Sequence, residues 1–409
     1  MDYTLLKNGK IVHPDCVFNG DILLNNSRIV TTGENISPPD PETRVIDVGG
    51  TWLLPGLIHF KTPLFKIEGS GPSSGIYQAL SHGSTFLMDK IKIPKLEDYK
   101  TILEDAGKYC QPIICDFSLH LDAQSCSKMK RDDLAYCFIH KGISSFSMQW
   151  KHVHKLLAGD FDSLLQFMAK HQLLLIFCTK AIKESSLVGN QTFFSAYLIK
   201  LREAVRHISM TGCPLLITGV SSMDEVRTIR TIGGGQTYIA VNLCNTELDV
   251  PSPVSPELIT EYGRLMNNII LDPPALKTPT DRQNYIENNI SYSFLHELTD
   301  DILVDETYMV NLCNMYATLP AKLLGIYPQK GALIAGADAD IIVWSPSNGQ
   351  DVARHGENIS ILKADIKYLV VSGRLIEGSE HIKPNSLNGR YIFRDPVIDQ
   401  PYKDSILLP

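Results

Sequence analysis

The residues best suited to chemistry in this chain lie in or beside short apolar runs. In LLPGLIHFKTPLF, Leu53–Phe65, the residues His59, Lys61 and Pro63 stand at alternate positions. Side chains at i and i+2 of a strand point to one side, so two imidazoles at that spacing would converge on one cation. Here the second and third places carry an ammonium group and a ring with no donor atom. The spacing suits a metal site; the ligands do not. His152 and His154 do form a His-x-His pair, but the preceding Trp150-Lys151 reads as an exposed loop or helix start. No carboxylate or third histidine is fixed beside them to complete a coordination sphere. Asp272 follows the short apolar run NNIIL and precedes Pro273-Pro274, which assigns it to a loop. A single carboxylate holds a divalent cation weakly. His120, in DFSLHLD, reads as a buried, hydrogen-bonded strand residue. Gly233-Gly234-Gly235 precedes a strand and lacks a following Gly-Lys-Ser/Thr, so it is a turn and not a phosphate loop. SKMKRDD, Ser127–Asp133, reads as a solvated helix face.

The elements that must position these residues come in two rhythms. The first fifty residues alternate apolar and polar types, with hairpin signals at Asn8-Gly9 and Asn25-Asn26-Ser27. The C-terminal part does the same in ADADIIVWSP and IKYLVVSGRLIEG, the latter with a turn at Ser372-Gly373. Short strands at both ends predict one small β-sandwich built from both termini. Between them, apolar strands alternate with amphipathic segments. The strands are Gly56–Phe60, Ser84–Asp89, Pro112–Leu121, Ile143–Met148, Leu173–Cys178, Pro214–Val220 and Thr237–Leu243. Seven such units, with or without a degenerate eighth, predict a (β/α)8 TIM-like barrel rather than an open sheet. The expected division is a composite sandwich of 1–53 and 331–395, a barrel of 54–330 and a C-terminal tail of 396–409.

Nearly from end to end, the chain resembles the dihydropyrimidinase and hydantoinase family of cyclic amidohydrolases. RVIDVGGTWLLPGLI resembles the family's approach to the barrel, and ALSHGSTFLMD its second strand. CDFSLHLD, GISSF and CPLLITGVSS are similar to its third, fourth and sixth strands. LPAKLLGIYPQKGALIAGADADIIVWSP resembles the return from barrel to sandwich, and NGRYIFRDPVIDQPYKD the tail shared with the collapsin response mediator proteins. The resemblance implies an amidohydrolase barrel and, in the family's hydrolases, two metal ions bridged by hydroxide and a carboxylated lysine. Such metals make hydroxide available near neutral pH and polarise the scissile carbonyl.

Position by position, this sequence departs from that ligand set. The family's Asp-x-His-x-His is His59, Lys61 and Pro63, with His59 expected to face the barrel mouth. The bridging lysine is Ser147, the fifth-strand histidine is Cys178 and the sixth-strand histidine is Gly219. The segment carrying the eighth-strand aspartate is shortened between DPPALKTPTDRQ and DDILVDETYMVNLC, which leaves closure of the barrel across 281–305 open. The implied catalytic residues, metal and cofactor are therefore none, and the six named positions form a vestigial pocket.

The collapsin response mediator proteins are the family members that this pattern resembles. The resemblance implies a metal-free pseudoenzyme acting as a scaffold or regulatory protein. Its expected assembly is a homotetramer, or a homo- or hetero-oligomer with dihydropyrimidinase-like chains, with a cytoskeletal or signalling partner. This chain ends at Pro409 without the long basic Ser/Thr-rich tail typical of the vertebrate proteins, which puts tubulin-type roles in doubt. Two other readings stand beside it. One is a hydrolase of cyclic amide C–N bonds with a rebuilt thiol or Schiff-base site around Cys178, Lys61 and Lys180. The other is a non-hydrolytic ureide or nucleobase binder.

Composition narrows the classes further. With 409 residues, 44% hydrophobic and 20% charged, the chain can bury a large core and a smaller one. A net charge of −7 argues against a general nucleic-acid or anionic-membrane binder. The longest apolar run, LLLIFC, is strand-sized, and the N-terminus lacks a signal-peptide pattern. Nine scattered cysteines without a CxxC pair predict reduced thiols and a cytoplasmic location.

Overall fold

The computed structural model describes residues 2–60, 74–94, 98–109, 115–179, 191–241, 268–271, 304–345, 365–377 and 389–397. The N-terminal alternation forms β1 (Tyr3–Val12), β2 (Val17–Asn25), β3 (Arg28–Gly33), β4 (Arg44–Asp47) and β5 (Trp52–Pro55). A hairpin joins β2 to β3 at Asn26, whose φ of 50° is the left-handed conformation that asparagine tolerates. The hairpin expected at Asn8-Gly9 is instead a bulge within β1. There the register against β2 shifts between Leu6 and Gly9, and Asn8 takes φ 62°. Asp21 holds the bulge by accepting the Asn8 backbone N–H at 2.9 Å. The kink divides β1, so that β4 pairs with Thr4–Lys7 and β5 with Lys10–Ile11.

Eight parallel strands follow in sequence order around the barrel. They are β6 (Leu57–His59), β7 (Ser84–Ile91), β8 (Asp116–Asp122), β9 (Ser145–Gln149), β10 (Leu174–Cys178), β11 (Leu215–Val220), β12 (Thr237–Val241) and β13 (Ile269–Leu271). The eighth of them, β13, lies in the run NNIIL, whereas 281–303, nearly all of the stretch across which the sequence leaves closure of the barrel open, lies outside the described residues. Most crossovers are helical, including Ser74–Ser81, Tyr99–Tyr109, Arg131–Lys141, Asp162–Lys170 and Gln191–Met210. Such crossovers make parallel pairing possible. Alternation sorts the side chains into two cores. Phe86, Met88, Leu174, Ile176, Leu216, Ala240 and Ile270 fill the barrel interior. Their neighbours Leu87, Phe117, Phe146, Leu175, Phe177 and Ile217 pack outward in the larger cluster that includes helix residues such as Leu164 and Val205.

Among the described residues, β13 and β6 are not hydrogen-bonded to each other. A π-helical turn at Asn314–Thr318 packs against both. The chain then runs through the helix Leu319–Leu323, which contributes Ala321 and Leu323 to the inner core, and adds Leu324 and Ile326. Finally β14 (Ile341–Trp344), β15 (Ile366–Val371) and β16 (Arg374–Glu377) join the N-terminal strands. The resulting sheet has the order β16-β15-β14-β5-β1-β2-β3, with β4 on β1, and covers a core of its own that includes Leu6, Ile22, Leu53, Ile341 and Val370. Both termini thus build the second sheet, as expected.

The expected boundaries shift at two points. β5 belongs to this sheet as far as Pro55, two residues past the proposed 53. The segment Arg390–Val397 does not stay with the sandwich. Ile392 and Val397 enter the barrel's inner core, and Tyr391 bridges Phe117 of β8.

Candidate functional site

In a barrel of this kind the C-terminal ends of the strands, with the loops after them, carry the chemistry. Alternation decides which residues point in. On β9, Phe146 and Met148 pack outward, which turns Ser145, Ser147 and Gln149 to the interior. On β10, Leu174 and Ile176 are interior, so Cys178 continues that row and lies buried. Ser147 and Cys178 therefore do come to the mouth on the interior side. Gly219 lies where β11 loses register against β12, between Ile217 and Val220. Its φ of 81° is a conformation that glycine adopts without strain. Lys61 and Pro63 lie outside the described residues, as do Lys180 and Asp272.

His59 is placed differently from expectation. Ile58 and Phe60 belong to the inner core, whereas Leu57 and the laterally paired Leu87 belong to the outer one. Strict alternation puts His59 on the outer side with Leu57, so it does not face the mouth. The inner placement of Ile58 and Phe60 on either side of it fixes that direction. His59 is 4% exposed.

His120 is the buried strand residue expected. Its Nε2 lies 3.1 Å from the Phe60 carbonyl and its Nδ1 2.5 Å from the Ser145 hydroxyl. A carbonyl can only accept, so Nε2 donates and Nδ1 accepts from Ser145. Burial, with the Arg394 guanidinium nearby, holds the imidazole well below its ordinary pKa, against the pull of the Phe60 carbonyl. Arg394 is buried beside it, donating through Nε to Ser118 Oγ at 2.9 Å and through Nη2 to the Leu119 carbonyl at 2.6 Å. Burial lowers the guanidinium pKa to about 10.

Behind the mouth, the sixth strand runs into a helix, Met223–Ile232, through a capping box. Ser222 Oγ accepts from the Glu225 N–H, and Glu225 Oε2 accepts the Ser221 and Ser222 N–H groups at 3.0 Å. The other oxygen, Glu225 Oε1, accepts the Tyr197 hydroxyl at 2.6 Å. Burial and the neighbouring Glu225 carboxylate raise the Tyr197 pKa well above normal, so it is a fixed donor. The sequence announces this as Ser-x-x-Glu.

A metal centre of the family type does not fit these residues. Ser147 offers one hydroxyl, Cys178 one thiol and Gly219 nothing. Among the described residues, the grouping with metal-like convergence is Asp116, Asp338 and Asp340. It lies at the opposite end, where Asp116 begins β8, and Lys330 and Arg390 neutralise it. Five further thiols are buried and inert. Burial pushes Cys126, Cys137, Cys213 and Cys313 up to about 12 and Cys115 well above normal.

The mouth also holds residues that the sequence did not single out. Lys90, Asp122 and Gln149, at the ends of β7, β8 and β9, line a cleft of about 860 Å³ together with Lys92, Lys128, Lys151, His152 and Lys155. His152 closes a 3-10 turn, Trp150–His152, and His154 starts the next helix, so the pair does not converge. The expected solvated helix begins only at Arg131, and Lys128 faces the cleft instead. The missed signal was positional: lysines just past three consecutive strand ends.

Comparison with known proteins agrees with this geometry. No family model matches the chain. Dihydropyrimidinase-related protein 5 of Rattus norvegicus is 22% identical over 414 residues, covering 84% of this chain and 70% of that protein. Dihydropyrimidinase of Rattus norvegicus is 20% identical over 473 residues, covering 98% of this chain and 90% of that protein. Protein unc-33 of Caenorhabditis elegans is 21% identical, covering 85% of this chain and 45% of that protein. Among solved structures, the dihydropyrimidinase of Brevibacillus agri NCHU1002 superposes with a TM-score of 0.69 at 18% identity, over 97% of this chain and 100% of that one. The resemblance to dihydropyrimidinases, hydantoinases and dihydropyrimidinase-related proteins therefore holds in sequence and in fold.

Proposed function

We propose that this chain is a non-hydrolytic dihydropyrimidinase-like protein, a pseudoenzyme that acts as an oligomeric scaffold or regulatory subunit in the cytoplasm. The observation that carries the reading is the trio Ser147, Cys178 and Gly219 at the ends of β9, β10 and β11. Where the family's hydrolases place a bridging lysine and two histidines, these residues leave a single soft donor. One thiol without further nitrogen, oxygen or sulfur ligands does not fix a divalent ion. The resemblance to the collapsin response mediator proteins implies a role through protein contacts, and similarity to dihydropyrimidinase-related protein 5 and to protein unc-33 is in keeping with that resemblance. The expected occupants of those contacts are copies of this chain or of a dihydropyrimidinase-like chain, and then a cytoskeletal or signalling protein. Among the described residues no helix is long and apolar enough to cross a membrane.

Metal analysis of purified protein, run beside a dihydropyrimidine ring-opening assay, tests the reading. The expected result is substoichiometric zinc and no turnover, with light scattering reporting an oligomer. Stoichiometric metal together with ring opening would overturn it and favour a hydrolase with a rebuilt site.

A further inference from the structure

The cleft over β7, β8 and β9 is the strongest concentration of one charge among the described cavities. Five lysines and two aspartates line it, which gives the lining a net charge of +3 with His152 neutral, in a chain whose net charge is −7. The aspartate on its floor is already engaged. Asp122 Oδ2 lies 3.1 Å from Lys90 Nζ, and Asp122 Oδ1 accepts the Ser125 N–H at 3.0 Å. Asp160 is exposed and is the second carboxylate of the lining. Lys92, Lys128, Lys151 and Lys155 have no ion-pair partner among the described residues, and they come from three separate segments of chain. Cations that line one cleft repel one another, and a concave wall strengthens their common field. An anion relieves that repulsion.

The ligand's size and character follow from the same lining. A volume of about 860 Å³ is within the range of small-molecule sites and too recessed for a flat surface patch. Gln124, Gln149 and Ser127 offer neutral polar groups beside the charges. We propose that this cleft binds a small soluble polyanion carrying two or more phosphate or carboxylate groups, held by Lys92, Lys128, Lys151 and Lys155 around the Lys90–Asp122 pair. The site rests on the fold and the lysines, and it holds whether or not the chain is a scaffold. His152 reports on it independently. Burial and the adjacent lysines Lys151 and Lys155, with His154, lower its pKa against the opposing pull of Asp122, and an added anion reverses that shift.

Calorimetry of the intact protein with pyrophosphate, citrate, inorganic phosphate and acetate tests the proposal at two salt concentrations. Pyrophosphate or citrate is expected to bind at least tenfold more tightly than phosphate or acetate, and to weaken as salt rises. The two multivalent probes separate a phosphate from a carboxylate preference. The double variant K151Q/K155Q is expected to lose at least tenfold in affinity, and K92Q/K128Q, altered at two exposed positions, to do the same. In a proton NMR titration the His152 ring pKa is expected to rise with pyrophosphate. Failure of both multivalent anions to bind overturns the proposal, as does affinity unchanged in both double variants. Binding of a hexaglutamate peptide without either small anion overturns it in favour of an acidic protein segment.

Discussion

Lys330 Nζ lies 2.7 Å from Asp116 Oδ2, although 214 residues separate them in sequence. The same ammonium group reaches Asp338 at 3.0 Å and also bonds Asp340. Arg390 Nη2 adds contacts of 2.6 Å to Asp116 and 2.8 Å to Asp338. With Arg28 of β3 also 2.8 Å from Asp338, three carboxylates and three cations therefore tie β3, β8, the approach to β14 and the segment Arg390–Val397 together. Burial would discharge Lys330, but Asp340, Asp116 and Asp338 outweigh it and raise the lysine's pKa. Burial likewise opposes ionised Asp116, yet Lys330 and Arg390 prevail and lower its pKa.

Removing the lysine leaves the carboxylates buried and under-compensated. K330M is expected to cost about 3–5 kcal/mol, the range for breaking a buried ion pair from one side. Urea denaturation of the variant checks this, and a loss below about 1 kcal/mol would show that the cluster relaxes to solvent. The pH signs differ between the partners. Asp116, lowered, contributes stability above the ordinary carboxylate range and loses it as pH falls through its folded pKa. Lys330, raised, contributes until pH rises through its folded value.

His120 predicts a second acid-sensitive step. Its folded pKa lies well below the ordinary 6.5, so the unfolded chain binds a proton that the folded chain refuses. Its contribution is complete above about pH 6.5 and declines as pH falls toward the folded value. Denaturation curves at pH 7.5 and 5.5 should differ by a contribution that is absent from His120→Gln. Proton NMR should show the ring still neutral near pH 5.5. A ring that titrates at its ordinary pKa would refute the buried arrangement with Phe60 and Ser145.

The barrel was legible because near-continuous apolar runs such as LLLIFC and PLLITGV recur between amphipathic stretches, and burial on both faces of a parallel strand demands that pattern. The inward direction of Ser147 and Cys178 was legible for a related reason: both fall near strand ends, where side-chain direction follows from alternation. The side that His59 faces was not legible because its neighbours Leu57, Ile58 and Phe60 are apolar on both faces of the strand, so no polar alternation marks the inner one. Asn8-Gly9 was misread because a bulge and a hairpin both use left-handed residues. The Lys330 cluster and the lysine-lined cleft depend on contacts across the whole chain, which spacing along it does not reveal.

The junction of β11 with its helix offers a local test. Glu225 is fully buried, with its oxygens taken by Tyr197 and by the Ser221 and Ser222 N–H groups. Ser222→Ala removes the cap and is expected to cost about 1 kcal/mol. Tyr197→Phe leaves a buried carboxylate oxygen short of a donor, with an expected cost of about 1–3 kcal/mol. The two groups share Glu225, so a double variant should depart from additivity. Additive losses, measured by urea denaturation, would show that Tyr197 and Ser222 act separately.

Gly219 carries the prediction that bears most directly on the proposed absence of a metal site. Its φ of 81° lies in the left-handed region, where a side chain costs about 1–2 kcal/mol. Gly219→Ala is therefore expected to lower stability by about that amount, and a histidine there carries the same backbone penalty plus a bulkier side chain. β11 breaks register between Ile217 and Val220, so an imidazole introduced there would leave from a different trajectory than a regular strand gives. The triple variant S147K/C178H/G219H should accordingly remain substoichiometric in zinc when folded protein is analysed after incubation with the metal. A full equivalent of zinc in that variant would mean that the ligand positions keep their geometry, and that only side-chain identity separates this chain from a hydrolase.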